Sequence, residues 1–332
     1  MTVGLRPLSG SATELVPLLR AWLDGDEPLW VRTSGSTGRP KDVVLSPAAV
    51  RASVAATHER LGGPGQWLLA LPPTGVAGLQ VVVRSLLAGF VPAEDRSDLT
   101  APRRYVSVVP TQLHRIVAGG EVGEWAGFDA VLVGGAAVPQ ELVARARDLG
   151  LPVVRTYGMS ETCGGCVYDG VPLDGVEVRI DDDQQVHVAG PVLFDGYRDE
   201  PRVGEWFATA DLGEWVDGRL RILGRRDDVV VSGGVNVPLP AVTAALQAAD
   251  GVGDALAVGV PDDEWGQRVV AVVVPGESVC LDALRLDALR DVVEAAGHPR
   301  TWAPRDVVLV DAIPMLPNGK PDRAAARALA GP

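Results

Sequence analysis

The residues best suited to chemistry are Thr33-Ser34-Gly35-Ser36-Thr37-Gly38-Arg39-Pro40-Lys41, which place two glycines, four hydroxyl side chains and a lysine within nine residues. Apolar runs at 28–32 and 42–45 flank them, so the pattern predicts a loop between two strands. Glycines let backbone N–H groups turn toward an anion, hydroxyls add donors, and a lysine supplies a compact positive charge. The chemistry expected is phosphate binding. A Walker A loop is excluded by spacing, because it needs glycine before the lysine and Ser or Thr after it. Here Pro40 precedes Lys41 and Asp42 follows.

The lysine content points the same way. The chain has 30 Lys+Arg, yet only Lys41 and Lys320 are lysines. Lys320 lies in a second loop bounded by Gly and Pro, Leu316-Pro317-Asn318-Gly319-Lys320-Pro321. The two asparagines, Asn236 and Asn318, also lie in glycine-bearing loops.

The elements that must position these loops follow from hydrophobic period and turn residues. Ser11 and Glu14 have capping-box spacing before a short helix, and Ser46-Pro47 is a strong start for a helix reaching Gly62-Gly63. Strands are expected at 67–71, 104–109, 130–133 and 152–156, with helices at 76–88, 111–118 and 139–149. Alternation of this kind predicts an α/β fold with a largely parallel sheet, whose ligands sit at the carboxyl ends of the strands. From about Val176 short alternating strands predict a small β-subdomain. Beyond Gly224 a further set predicts a small α+β domain, giving boundaries of 1–223 and 224–332.

Several ordered motifs carry a resemblance to a known family. The loop at 33–41, Tyr157-Gly158-Met159-Ser160-Glu161, Thr209-Ala210-Asp211, Gly224-Arg225-Arg226-Asp227-Asp228 and Asn318-Gly319-Lys320 occur in the order typical of the adenylate-forming superfamily of acyl-CoA synthetases, adenylation domains and luciferases. Within it, Val109-Pro110-Thr111-Gln112-Leu113 and the run from Thr156 to Cys166 resemble the o-succinylbenzoate–CoA ligases of menaquinone biosynthesis, in their short actinobacterial form.

The resemblance implies a truncated large domain followed by a mobile C-terminal domain hinged at Asp227. It implies ATP and CoA as co-substrates and Mg2+ as cofactor. Thr33, Ser34, Gly35, Ser36, Thr37, Gly38 and Lys41 would bind the pyrophosphate half of ATP. Ser160 would meet the α-phosphate and Glu161 the metal, Gly135, Ala136, Tyr157 and Gly158 would flank adenine, and Asp211 and Arg225 would take the ribose. Ser232, Gly233 and Gly234 would line the path of pantetheine, with Lys320 serving adenylation. An acid carrying a second carboxylate needs donors at the far end of its pocket. Thr111, Gln112 and Arg115, with His114 as a further candidate, lie at a helix start where an anion is favoured, while Gly75 and Thr74 would leave room for a ring and Gly134 would also face the acid. Two positions depart from the family pattern, Ala210 before the ribose aspartate and Pro321 after the lysine. The family also carries more chain ahead of the phosphate loop than the 32 residues here. A carrier-protein-loading adenylation domain, another aryl- or acyl-CoA ligase and a silent nucleotide-binding protein remain alternatives.

Composition bounds the partners. A net charge of -13 argues against a nucleic-acid surface, which needs a basic patch. No apolar run reaches membrane-spanning length and residues 1–10 lack the pattern of a signal peptide, so a soluble cytoplasmic protein is expected, with a homodimer left open. The histidines show no metal-ligand spacing. Cys163 and Cys166 have redox-pair spacing, but no second pair or thioredoxin-like context accompanies them, so they are read as small packing residues.

Overall fold

The structure is a computed structural model that describes residues 3–4, 12–33, 41–120, 122–276, 284–315 and 321–331. The chain divides into two compact units. One holds Met1–Arg179, His187–Thr209 and Trp215–Leu220; the other holds Ile180–Val186, Ala210–Glu214 and Arg221–Pro332.

The first unit contains the expected parallel sheet. Strands Gln66–Leu68, Arg104–Val108, Ala130–Val133 and Val153–Met159 lie side by side in chain order and pair in parallel. Their connections carry helices Val76–Leu87, Pro110–Ala118 and Gln140–Asp148, as a parallel crossover requires. Gly164–Tyr168 and Val171–Pro172 then extend the sheet in antiparallel fashion. Val106, Val108, Val131 and Val133 pack with Leu113 and Val143 of the crossover helices.

A second sheet of the same unit holds the hairpin of Leu29–Thr33 and Lys41–Leu45. Its register runs from Leu29↔Leu45 to Thr33↔Lys41, and Gly196–Tyr197 adds to the far edge of the returning strand. Leu29, Val31, Val43 and Leu45 bury one face against Leu15 and Leu19 of helix Ala12–Leu23 and Val50 and Val54 of helix Pro47–Arg60. The Ser46 side chain accepts from Ala49 N at 3.3 Å, so the expected cap is present. Ser11 lies outside the described residues. Strands Glu177–Ile180, Gln185–Ala189, Phe207–Val216 and Arg219–Arg225 form a third, four-stranded sheet.

In the second unit, Val229–Ser232, Val235–Pro238, Val252–Asp262 and Gly266–Pro275 form a sheet, joined in parallel by Asp306–Leu309. Period-2 alternation in the two long strands gives it two buried faces. Ala257, Val269 and Ala271 pack with Val242 and Leu246 of helix Leu239–Gln247 and with Leu289 and Val293 of helix Leu286–Ala295. Val258, Val270 and Val272 pack with Ala326 of helix Arg323–Leu329. This last helix and the strand at 306–309 were not expected from the sequence.

One buried polar cluster in the first unit has consequences for stability. The Arg84 guanidinium lies 4.8 Å from the centre of the Trp67 ring and donates to Tyr168 Oη at 3.4 Å. Among the described residues no carboxylate pairs with it. His58 is buried nearby with Nε2 unpartnered, and burial, with Arg84 adding repulsion, pulls its imidazole from 6.5 down to about 4. The unfolded chain therefore binds a proton that the fold excludes, so this stability is full above about pH 6.5 and is lost as pH falls toward 4. The expected loss is about 1–2 kcal/mol after allowing for partial hydration of the ring. Denaturant unfolding at pH 7 and pH 5 should show it, and His58→Gln should flatten the difference; an equal slope in the variant would remove His58 as the cause.

Candidate active site

The loop at 34–40 lies outside the described residues, but both of its ends are fixed. Thr33 and Lys41 face each other in the hairpin register, with Thr33 Oγ1 donating to Lys41 O at 3.3 Å. One step down the hairpin, Arg32 Nε and Nη2 donate to Asp42 at 2.9 and 3.2 Å. The guanidinium holds the Asp42 carboxyl below its ordinary range. Asp42 is thus occupied by its cross-strand partner. Lys41 points elsewhere: its Nζ lies 4.5 Å from the centre of the Tyr197 ring.

Tyr157, Gly158, Ser160 and Glu161 lie where a parallel strand runs out. Val153–Met159 ends in a single 3-10 turn, Ser160–Thr162. Buried Thr162 holds that turn: its hydroxyl accepts from Met159 N at 2.9 Å and donates to Gly164 O at 2.7 Å. Cys163 follows in the left-handed region at φ 51, and Gly158 must be glycine because a Cβ there would lie 2.0 Å from Gly164 O. The turn is tied to another part of the chain by Phe194 N donating to Glu161 O at 2.9 Å. Tyr197 Oη donates to Glu161 Oε1, also at 2.9 Å. Lys41 and Glu161, distant in sequence, therefore meet at one tyrosine.

Gly134, Gly135 and Ala136 follow the neighbouring strand, whose Val133 pairs with Arg155. A Cβ at Gly134 would lie 2.3 Å from Thr156 Oγ1, so this glycine lets the loop lie against the strand bearing Tyr157. Thr111, Gln112 and Arg115 belong to the helix after the next strand. Gln112 spans two exits of the sheet, accepting from Val109 N at 2.9 Å and donating to Ala70 O at 2.9 Å. Thr111, His114 and Arg115 are exposed, and Leu113 alone of this turn is fully buried. Gly75 caps helix Val76–Leu87 without a side chain. Within this unit the structure thus gathers the adenine and acyl candidates on consecutive strand exits.

The remaining candidates belong to the second unit. Asp211 lies half-buried in strand Phe207–Val216, and Arg225 is exposed at the end of strand Arg219–Arg225. Asp227 lies in the 3-10 turn Arg226–Asp228. Ser232 is buried; Gly233 has φ +58, and a Cβ on it would lie 2.4 Å from the Trp265 ring, whose backbone O accepts from Gly233 N at 2.9 Å. Lys320 lies outside the described residues, yet a Met315↔Pro321 bridge closes the base of its loop. Asp322 then caps helix Arg323–Leu329, accepting from Ala324 N and Ala325 N at 3.1 and 3.0 Å.

Two residues were missed by sequence reasoning. Tyr197 follows Asp195-Gly196, a pair with turn character, and its only local signal is that it is one of four tyrosines. Arg84 is hidden inside an apolar helix. Cys163 and Cys166 behave as packing residues: both are fully buried, and burial pushes the Cys166 thiol up to about 12 and raises that of Cys163 as well. Among the described residues no cluster of three or more metal-ligating side chains occurs, and no helix is long and apolar enough to cross a membrane.

Comparison with known proteins agrees with this geometry. The sequence matches the AMP-binding enzyme family over residues 18–198 and the AMP-binding enzyme C-terminal domain over 241–320. It is 42% identical to a probable 2-succinylbenzoate–CoA ligase of Mycobacterium tuberculosis, over 91% of this chain and 84% of that protein. It is 34% identical to the 2-succinylbenzoate–CoA ligase of Escherichia coli, over 81% of this chain and 63% of that protein. Among solved structures, the o-succinylbenzoate CoA synthetase of Bacillus subtilis in complex with its acyl-adenylate intermediate superposes with a TM-score of 0.72 at 25% identity, covering 90% of this chain and 68% of that one. The family match over more than half of the chain and the 42% identity to a curated relative show that the chain belongs to the AMP-binding enzyme family.

Proposed function

We propose that this protein is an acid–thiol ligase that activates o-succinylbenzoate with ATP and transfers the acyl group to CoA, a step of menaquinone formation. The observation that carries the reading is the meeting of Lys41 and Glu161 on Tyr197, beside the turn that presents Ser160. The named relatives support the choice of acid.

A carboxylate has no good leaving group, so ATP must supply one. The carboxylate oxygen attacks the α-phosphorus and pyrophosphate leaves; CoA sulfur then attacks the acyl carbon, loses its proton, and AMP leaves. Two anions must approach in the first step, and the chain's own groups offset their repulsion. Lys41, with Thr33, Ser34, Gly35, Ser36, Thr37 and Gly38, holds the pyrophosphate half, and Ser160 donates to the α-phosphate. Gly135, Ala136, Tyr157 and Gly158 flank adenine, and Asp211 with Arg225 takes the ribose. Gly75, Thr111, Arg115 and Gly134 bound the acid, while Gln112 shapes that edge through its two bonds to backbone.

Glu161 would hold Mg2+, a hard cation suited to carboxylate oxygen, and its partly exposed carboxylate fits that role. When bound, this ion neutralises charge on the phosphates. A C-terminal domain from about Gly224 presents Lys320 for adenylation and then, pivoting at Asp227, presents Ser232, Gly233 and Gly234 to pantetheine.

Three outcomes are expected. In a pyrophosphate-release assay over a panel of acids, o-succinylbenzoate should exceed benzoate and simple fatty acids by at least about a hundredfold, since unpaired binding groups cost several kcal/mol. Mass spectrometry should find the CoA thioester; preference for a monocarboxylic acid, or acyl transfer only to a carrier protein, would overturn the assignment. Lys320→Ala should slow adenylate formation by about a hundredfold or more while supplied acyl-adenylate still reacts with CoA, and equal loss in both steps would refute its role. Asp227→Pro, which restricts the backbone, should spare adenylation and slow thioester formation; an unchanged ratio of the two rates would remove the pivot.

A further inference from the structure

Tyr197 packs against the hydrophobic cluster of Leu29, Val31, Val43 and Phe194, and it also meets two charged groups. Its strand, Gly196–Tyr197, pairs antiparallel with the returning strand of the hairpin through Gly196↔Val44 and Tyr197↔Val43. The ring is fixed from the side by Phe194, with centroids 5.1 Å apart in an edge contact, and Phe194 is held by Phe207 at 5.0 Å. From this mount the two ends of one side chain reach two different charged groups. The ring lies 4.5 Å from Lys41 Nζ, and the hydroxyl lies 2.9 Å from Glu161 Oε1. Among the described residues no ion pair joins Lys41 to Glu161.

We propose that Tyr197 is a positioning residue that holds the lysine and the carboxylate side by side while keeping them from neutralising each other. An ammonium and a carboxylate free to meet would form an ion pair, and each would then have to be parted from the other before meeting a ligand. A phenol avoids this. Its hydroxyl donates to the carboxylate without bringing positive charge, and its face attracts the ammonium through the ring quadrupole without bringing negative charge. The inference rests on the adenylation reading in that the ligand receiving both is a metal–nucleotide complex, with Lys41 serving phosphate oxygens and Glu161 the cation.

The division of labour within one side chain makes the idea testable by two variants. Tyr197→Phe keeps the face under Lys41 and removes the hydroxyl from Glu161; Tyr197→Leu removes both. The measurement is equilibrium binding of ATP, with and without Mn2+ as the paramagnetic stand-in for Mg2+, by titration calorimetry and by electron paramagnetic resonance of the bound ion. Thermal unfolding of each variant checks its fold. Tyr197→Phe should weaken Mn2+–ATP binding by roughly tenfold, the scale of one hydrogen bond to a charged group, and leave metal-free ATP binding unchanged. Tyr197→Leu should also weaken metal-free ATP binding, by several-fold. Combining Tyr197→Phe with Glu161→Gln should cost no more than Glu161→Gln alone, because the hydroxyl acts through that carboxylate. Unchanged Mn2+–ATP binding in Tyr197→Phe, or additive losses in the double variant, would overturn the inference and leave the adenylation reading standing. Failure of the unaltered protein to bind ATP would overturn both.

Discussion

A protein of net charge -13 that must hold a polyanion faces one electrostatic constraint, and the rest of the site depends on how it is met. Attraction cannot come from the surface as a whole, so it must come from groups set at short range, where screening and competing carboxylates matter least. Backbone N–H groups meet part of the need, since they attract anions without needing a counter-charge. Lysine is confined to two positions, Lys41 and Lys320, and the proposed reading gives both to the ligand. Paired residues flank the segments 34–40 and 316–320, Thr33↔Lys41 in the hairpin register and Met315↔Pro321 in an isolated bridge.

The parallel sheet meets the same constraint in another way. Its strand exits at 69–75, 109–112, 134–136 and 157–161 open along one edge, where the loops can gather around a ligand. Close approach has a steric cost, and glycine removes it where the neighbours are backbone. Gly134 clears Thr156 and Gly158 clears Gly164 O; alanine at either position would force the backbone apart. The rigidity of the turn after Gly158 comes from Thr162, a buried hydroxyl satisfied on both its donor and acceptor sides. Burying that hydroxyl costs little only because both bonds are made.

Much of this was legible in the sequence because it is local. Helices Val76–Leu87, Pro110–Ala118 and Gln140–Asp148 begin and end within two residues of their expected positions, and the four parallel strands fall where buried runs meet turn signals. The hairpin was legible for the same reason. What was not legible depends on pairing across long separations. The short strand bearing Tyr197 exists only because Val43 and Val44 lie beside it, and nothing near residue 197 reports them. Helix Arg323–Leu329 is seven residues of mostly alanine and arginine, weak on its own, and is held by Ala326 packing on the sheet and by the Asp322 cap. The helix start at 111–115 is a mixed case: its residue types suit an anion, Thr111 and Arg115 are exposed, and Gln112 is engaged by backbone on both sides.

The scarcity of lysine follows from what arginine does here. An acid-rich surface offers carboxylates everywhere, and a planar guanidinium captures them readily with its fork of donors. Arg32 with Asp42, Arg147 with Asp169, Arg268 with Asp306 and Arg300 with Asp291 are such captures. A cation required at a ligand site must avoid that fate, and Lys41 does so among the described residues by lying over a ring instead of against a carboxylate. Asp42, its immediate neighbour and the nearest competitor along the chain, is already engaged by Arg32 across the hairpin. The ion pair of Arg32 and Asp42 is exposed on the arginine side and adds little to stability on its own. On the proposed reading, its contribution is to keep Asp42 away from the ammonium one residue along the chain, which is left to meet phosphate.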